Sequence, residues 1–245
     1  MATTTKSEVI EVRPMKIGKA KIKIVGDSPL IVHAWSAKAK REMLWKQLGF
    51  PKTSAKEAKK PIEDYVASLY WLTPMPDPIT QESVAQAMND AKFGFGVTAF
   101  KQSAITAAYR MGWSKDKASL RGAFYIEPEY NGYWSGDLVP DYDRKTIDIV
   151  PNVWHPDSLV EIHGSKPIMK EDMVRLGGLG NPADIRYRGM FEDWWCELTI
   201  CYNENGQIKL DQIINIFNAG GFACGLGEWR MEKDGNFGAY HVEGV

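Results

Sequence analysis

The sequence is poor in the residues that build covalent or metal frameworks. It has three cysteines, Cys196, Cys201 and Cys224, and four histidines, His33, His155, His163 and His241. An odd number of thiols without C-x-x-C spacing excludes a disulfide scaffold and a zinc knuckle. H-E-x-x-H is absent, so neither a metal nor any other cofactor is expected. Long hydrophobic runs are also missing. No stretch approaches the roughly 18 consecutive apolar residues of a membrane span, and Met1-Ala2-Thr3-Thr4-Thr5-Lys6 lacks the apolar centre of a signal peptide. The expectation is a cytoplasmic protein without a membrane partner. Charge of one sign is lacking too: 30 Lys and Arg oppose 31 Asp and Glu, which excludes coating a polyanion by bulk charge.

Apolar residues make up 44% of the 245-residue chain, enough for a large core without staples. The charges are segregated. Residues 38 to 60 hold Lys38, Lys40, Arg41, Lys46, Lys52, Lys56, Lys59 and Lys60 against Glu42 and Glu57, so any basic surface is local. Nine tryptophans and ten tyrosines offer stacking planes, although most aromatic side chains of a folded chain are core.

Residues 1 to 15 read as a polar arm. Lys19-Ala20-Lys21-Ile22-Lys23-Ile24 alternates with period two and predicts a half-buried strand with one basic face. Ser36 opens a helix whose apolar positions Ala39, Met43, Leu44 and Leu48 recur at helical spacing, and Pro61 starts a short element carrying Tyr65, Leu69 and Trp71. Thr80 begins a helix to about Ala91, and Thr98 caps another over Ala99 to Met111 that stops at Gly112. Leu120 to Glu127 reads as a strand, 128 to 192 as an irregular region with short extended pieces, and Trp194 to Tyr202 as a strand. After an Asn205-Gly206 turn, Leu210 to Ala219 is a helix ended by Gly220, followed by a glycine-rich loop to 236 and a strand from Phe237 to Val242. The core order of strand, helix, strand, strand, helix, strand predicts an α+β, ferredoxin-like (split β-α-β, RRM-like) fold in one domain. Two large insertions, 27–97 and 128–192, would emerge from it.

The loop Gly220-Gly221-Phe222-Ala223-Cys224-Gly225-Leu226-Gly227-Glu228-Trp229-Arg230 is dense enough in glycine for backbone N–H groups to converge on an anion. It is no Walker loop, since G-K-[ST] is absent, and no dinucleotide fingerprint, since it follows a helix. A flexible helix cap is the bland alternative. A glycine-rich loop between the second helix and the fourth strand of a ferredoxin-like core resembles the RAMP superfamily, the RNA-binding proteins of CRISPR effector complexes. Val97-Thr98-Ala99-Phe100-Lys101, followed by Ala104 and Arg110, is similar to that family's G-S-S-L-K-G-x-L-R helix start. Thr98 stands where serine is usual and Phe100 where leucine is usual, and the flanking glycines are displaced to Gly94 and Gly96. Gly26-Asp27-Ser28-Pro29-Leu30-Ile31-Val32 is similar to the D-S-P segment of type III backbone subunits, whose aspartate supports RNA cleavage. The resemblance covers the core elements and leaves the insertions outside, and it looks more like a phage-encoded branch than an effector subunit.

The resemblance implies sequence-independent binding of single-stranded nucleic acid, RNA before DNA, by a head-to-tail homo-oligomer. The candidate contacts are Lys38, Lys40, Arg41, Thr98, Lys101, Arg175, Arg186, Arg188, Gly225, Gly227, Trp229 and Arg230. Lys101 follows a helix start that favours anions, and Trp229-Arg230 joins a stacking plane to a forked donor. Arg186 and Arg188 share one strand face, where Asp184 or Glu192 is the internal alternative to a phosphate. At least one of Gly225 and Gly227 is expected at positive φ or against another backbone, and in an exposed loop Gly227→Val would cost little stability. Two alternatives stand beside this. One is an endoribonuclease using Asp27 or His33, with Cys224 a further nucleophile candidate. The other is a phage structural or protein-interaction module.

Overall fold

In the computed structural model, which describes residues 14–51, 58–175 and 183–244, the alternating Lys-Ile stretch forms β1 (Ile17–Gly26). Its Ile22 and Ile24 are buried while Lys19 and Lys21 face water. In chain order follow β2 (Leu30–Val32), α1 (Ala37–Gln47), α2 (Pro61–Ala67), α3 (Gln81–Ala87), β3 (Phe93–Gly96), α4 (Val97–Arg110), α5 (Lys117–Ala123) and β4 (Phe124–Glu127). Then come β5 (Tyr130–Asp141), β6 (Thr146–Gly164), β7 (Ile168–Arg175), β8 (Ala183–Phe191), β9 (Trp194–Asn203), α6 (Leu210–Ala223) and β10 (Tyr240–Val242). The polar arm at 1–13 lies outside the described residues.

The fold is α+β and ferredoxin-like. β1 pairs with β10 on one side and β9 on the other, and β9 pairs with β4, every pair antiparallel. The spatial order fourth, first, third, second strand is that of a split β-α-β core. α4 and α6 cover its inner face: Phe100, Ala104 and Ile105 of α4 and Ile213 and Phe217 of α6 join Ile24, Leu198, Phe124 and Val242 in one apolar cluster. β6 also reaches β9 and carries β3 and β5. A second sheet, β2-β8-β7, joins residues of 27–97 to residues of 128–192. Among the described residues no helix is long and apolar enough to cross a membrane.

Ser36 and Thr80 cap α1 and α3 through their hydroxyls, as the sequence predicts. Four expectations are corrected. Leu120 to Ala123 is helical, because Asp116 caps α5 by accepting from the Ser119 amide at 2.7 Å. The N-cap of α4 is Gly96 rather than Thr98, which sits exposed in the first turn. The region 128 to 192 consists largely of four strands, two of them the long β5–β6 hairpin. Bulges between Tyr130 and Gly132 and between Ser135 and Asp137 break its alternation, and much of β6 is exposed on both faces, so no period-two pattern marks it. Finally, Phe237 makes an isolated parallel bridge to Arg230, and the last strand begins at Tyr240.

Gly220 and Gly221 lie inside α6, which ends at Cys224. Helix glycine ordinarily costs about 0.5–1 kcal/mol, and here packing explains it. A β-carbon on Gly220 would sit 2.8 Å from the Ala104 amide nitrogen, and one on Gly221 would overlap the Tyr240 carbonyl. The bare backbone lets α6 approach α4 and β10, where the Ser103 and Tyr240 hydroxyls share a 2.6 Å hydrogen bond. Gly221→Ala is expected to destabilise the protein by about 3 kcal/mol, an overpacking cost that the rigid carbonyl cannot relieve. Gly122→Ala in α5, with nothing within 4 Å of the added methyl, should stabilise by about 0.5 kcal/mol. Urea midpoints of the two variants beside the parent check both signs.

Candidate functional site

The backbone leaving α6 folds into a tight loop. The Gly225 amide donates to Gly220 O at 2.9 Å, Leu226 to Gly238 O at 2.9 Å, and Glu228 to Ile31 O at 2.9 Å. Gly225 and Gly227 both take positive φ, 67° and 70°, as expected for at least one of them. The backbone they approach is the chain's own. A β-carbon on Gly227 would overlap the Ile31 carbonyl of β2, and one on Gly225 would come to 2.8 Å from Met231 Cε and 3.1 Å from Gly238 O. The mild cost expected for Gly227→Val therefore does not apply, because the loop is packed against β2.

Two cavities meet beside this loop. The smaller, about 220 Å³, lies between the loop and α4 and is lined by Gly225, Gly227 and Arg230 on one side and Ala99, Gln102 and Ser103 on the other. The larger, about 510 Å³, opens between α1, α2 and β8, with Trp35, Lys38, Lys59, Asp64 and Arg186 on its walls. His33 and Glu228 border both, so the two cavities adjoin at this pair and are treated together as one groove.

Charges in the groove are paired unevenly. The Glu228 carboxylate lies 3.6 Å from His33 Nδ1 and 3.5 Å from an Arg188 terminal nitrogen. Contact with His33, then the charges of Arg188 and Arg186, hold its carboxyl below the usual glutamate range despite its partial burial. Arg188 is 2% exposed and donates to Asp172 at 3.0 Å, while Lys170 also pairs with Asp172. Among the described residues the Arg188 Nε is the one buried side-chain nitrogen or oxygen without a hydrogen-bond partner. The side chain of Arg186, a half-buried residue on the wall of the larger cavity, makes no hydrogen bond or ion pair among the described residues.

The structure brings His33, Lys38, Arg186, Gly225, Gly227 and Arg230 to the groove and places the other candidates elsewhere. Arg188 is corrected: its guanidinium is buried in a network completed by Asp172 and Glu228, not by Asp184 or Glu192, and is closed to a phosphate. Lys101 donates to Arg121 O at 2.8 Å and lies over the Phe124 ring at 5.3 Å, so it braces α4 against α5 and β4. Burial lowers the pKa of the Lys101 ammonium, and burial likewise lowers that of Lys40, partly offset by Asp137. Arg41 lies half-buried on α1, and Arg175 is exposed at the end of β7 beside a glycine-rich stretch outside the described residues. Arg230 donates to Glu232 at 3.0 and 3.2 Å and to Gly227 O at 2.9 Å, which ties the loop to itself. Trp229 adopts φ 52° and is 40% exposed.

Asp27 and His33 do not form a pair. Asp27 Oδ1 meets His241 Nδ1 at 2.7 Å on the surface, while His33 faces Glu228. Cys224 is buried, and desolvation, reinforced by Glu232, raises its thiol pKa, the reverse of an activated nucleophile. Sequence reasoning missed Trp35, Asp64 and Glu228 as groove residues. Trp35 next to the helix cap Ser36 was the available signal; Glu228 had none, since its partners come from distant strands.

No protein-family model matches the chain, and no curated protein matches it by sequence. Among solved structures it is similar to one described as the crystal structure of Cmr6 from Pyrococcus furiosus, at 10% identity and a TM-score of 0.32, over 94% of this chain and all of that one. A similarity of that size carries no functional argument, and the groove itself has to supply one.

A carboxyl held below its ordinary value stabilises the fold above that value and loses the contribution as pH falls through the depressed one. Glu228→Gln should therefore flatten the loss of stability on acidification below about the ordinary glutamate value of 4.5, read as urea midpoints from neutral pH downward. An unchanged acid limb would mean that Glu228 does not clamp the loop electrostatically.

Proposed function

We propose that the protein binds single-stranded nucleic acid, RNA in preference to DNA, along the groove between the glycine loop, α4 and the α1–β8 cavity. The observation that carries this reading is adjacency: His33 and Glu228 border both cavities, so the cleft beside the glycine loop adjoins the wall that carries Trp35, Lys59 and Arg186. A stacking plane and a few cations are parts a single strand needs. The preference for RNA follows from the sequence motifs of the loop and of the α4 start. Successive copies along one strand are the corresponding assembly, which sedimentation on oligonucleotides of increasing length would count.

The groove is not strongly basic, and this sets an expectation. With three cations, Lys38, Lys59 and Arg186, on the wall of the larger cavity, and Arg230 of the smaller one held by Glu232, log affinity should fall against log salt with a slope of only about 2, at about 0.7 per phosphate contact. Arg186→Ala should reduce that slope by about 0.7 and weaken all sequences alike. Fluorescence anisotropy with labelled 12-mers of RNA and DNA measures both quantities. A steep slope untouched by Arg186→Ala places binding elsewhere on the surface, and absence of binding at low salt removes the reading.

A second reading, RNA cleavage, draws on the exposed Asp27–His241 pair, whose carboxylate can orient an imidazole as a general base. Asp27→Asn and His241→Ala should then each abolish shortening of single-stranded RNA while leaving its binding intact. If the parent protein leaves RNA unshortened in Mg²⁺ and in chelator alike, cleavage is excluded.

A further inference from the structure

We propose that the cavity of about 510 Å³ between α1, α2 and β8 is a pocket for one nucleotide turned out of the bound strand, and that it selects guanine. The pocket rests on the single-strand reading and replaces sequence-independent binding with recognition at one position. Its size lies within the range of about 300–1,000 Å³ common to small-molecule sites.

Three features of the wall converge. Trp35 is 62% exposed in the turn before α1 and, among the described residues, contacts no other ring. A bare indole at the edge of a cavity is a platform for a base. Arg186 supplies a half-buried guanidinium without a hydrogen-bonded or ion-paired partner among the described residues. Lys59 stands on the same wall, its ammonium held by Ile185 O at 2.8 Å and paired with Asp184 at 3.3 Å, so Arg186 is the principal cation for a ligand. Together they suit a phosphate, which a guanidinium engages through two parallel N–H donors. The third feature is acidic. Asp64 of α2 and Glu42 of α1 line the same cavity, and neither side chain makes a hydrogen bond or ion pair among the described residues.

Carboxylates beside a phosphate subsite would oppose the ligand unless they face something that donates. An ionised carboxylate only accepts hydrogen bonds. Of the four bases, guanine alone presents two adjacent donors, N1–H and the N2 amino group, on its Watson–Crick edge. Adenine and cytosine set one amino donor next to a ring acceptor, and uracil sets one N–H between two carbonyls. An edge read by Asp64 or Glu42 with the ring stacked on Trp35 therefore selects guanine, and the polyanion is held by Arg186 and Lys59. Splaying a base out of a single strand costs little, because no pairing is broken.

The test uses the full chain and anisotropy with oligo(U) 12-mers that carry G, A, C or U at one central position. Guanine should bind about tenfold more tightly than the other three, the size of one good bidentate contact. Asp64→Asn, Glu42→Gln and Trp35→Ala are measured in parallel, with circular dichroism as the check on folding. At least one carboxylate substitution should reduce the preference to less than about twofold while affinity for oligo(U) changes by less than about twofold, and Trp35→Ala, which removes the stacking plane of the groove, should weaken all four oligonucleotides and the guanine one most. Calorimetry with GMP and with guanosine gives a readout independent of the strand: Arg186→Ala should weaken GMP and leave guanosine unchanged. Equal binding of all four oligonucleotides, with no binding of GMP, overturns the pocket and leaves the strand-binding reading intact. Binding of GMP without any oligonucleotide binding upholds the pocket and removes the strand. A preference for guanine that survives Trp35→Ala and both carboxylate substitutions places recognition outside this cavity and overturns the proposal.

Discussion

The amide of Glu228 donates to the carbonyl of Ile31, and Gly227 beside it lies too close to that carbonyl to carry a side chain. This contact fastens the loop after α6 to the edge of β2, and much else depends on it. It satisfies an edge carbonyl of the second sheet, which otherwise pairs only on its β8 side. It sets the Glu228 side chain against His33 and Arg188, at the junction of the two cavities. It also draws the segment after α6 toward residues 30–32, and the groove runs along the seam so formed. The glycines here serve internal closure first; the exposed surface they leave is the consequence.

The buried ion network beneath the groove has a related role. Arg188 and Asp172 are 2% and 9% exposed, and an ion pair so enclosed contributes little net stability while the loss of one partner leaves an uncompensated charge. Its value lies in geometry. Arg188 of β8, Asp172 and Lys170 of β7 and Glu228 of the loop can all be satisfied only when the second sheet and the loop are in register. The orphaned Arg188 Nε marks how fully the remaining donors are committed. A phosphate reaching Arg188 would have to dismantle that network, whereas the Arg186 guanidinium, two residues away, makes no hydrogen bond or ion pair among the described residues.

The groove therefore works without a strong field. Carboxylates face basic side chains on its walls: Asp184 meets Lys59, Glu232 meets Arg230, and Glu228 meets the His33 imidazole. Such a surface attracts a polyanion weakly at long range and discriminates at short range, where each donor and acceptor must find its complement. On the proposed single-strand reading, stacking would contribute more to affinity than net charge, consistent with a chain whose acidic and basic residues nearly cancel.

How much of this was legible in the sequence depended on the range of the interaction. The alternation of Lys19 to Ile24, the caps at Ser36 and Thr80 and the apolar faces of α4 and α6 are local signals, and together they carried the ferredoxin-like order of the core. The positive φ of Gly225 and Gly227 was legible for the same reason, since few other residues suit that conformation. The glycines at 220 and 221 read as a helix stop because the carbonyl and the helix they admit belong to Tyr240 and Ala104, far away in the chain. The β5–β6 hairpin was hidden because a ladder exposed on both faces needs no apolar alternation, only a partner strand. The fate of the basic residues was least legible of all: Lys101, Arg188 and Arg230 look alike as charges, yet one braces a helix, one is buried and one ties a loop. The sequence by itself determined where helices and strands can form, through period, caps and backbone freedom. Only the tertiary structure decided which charges are spent within the protein and which remain at its surface, because a charge's partner is chosen by proximity in space.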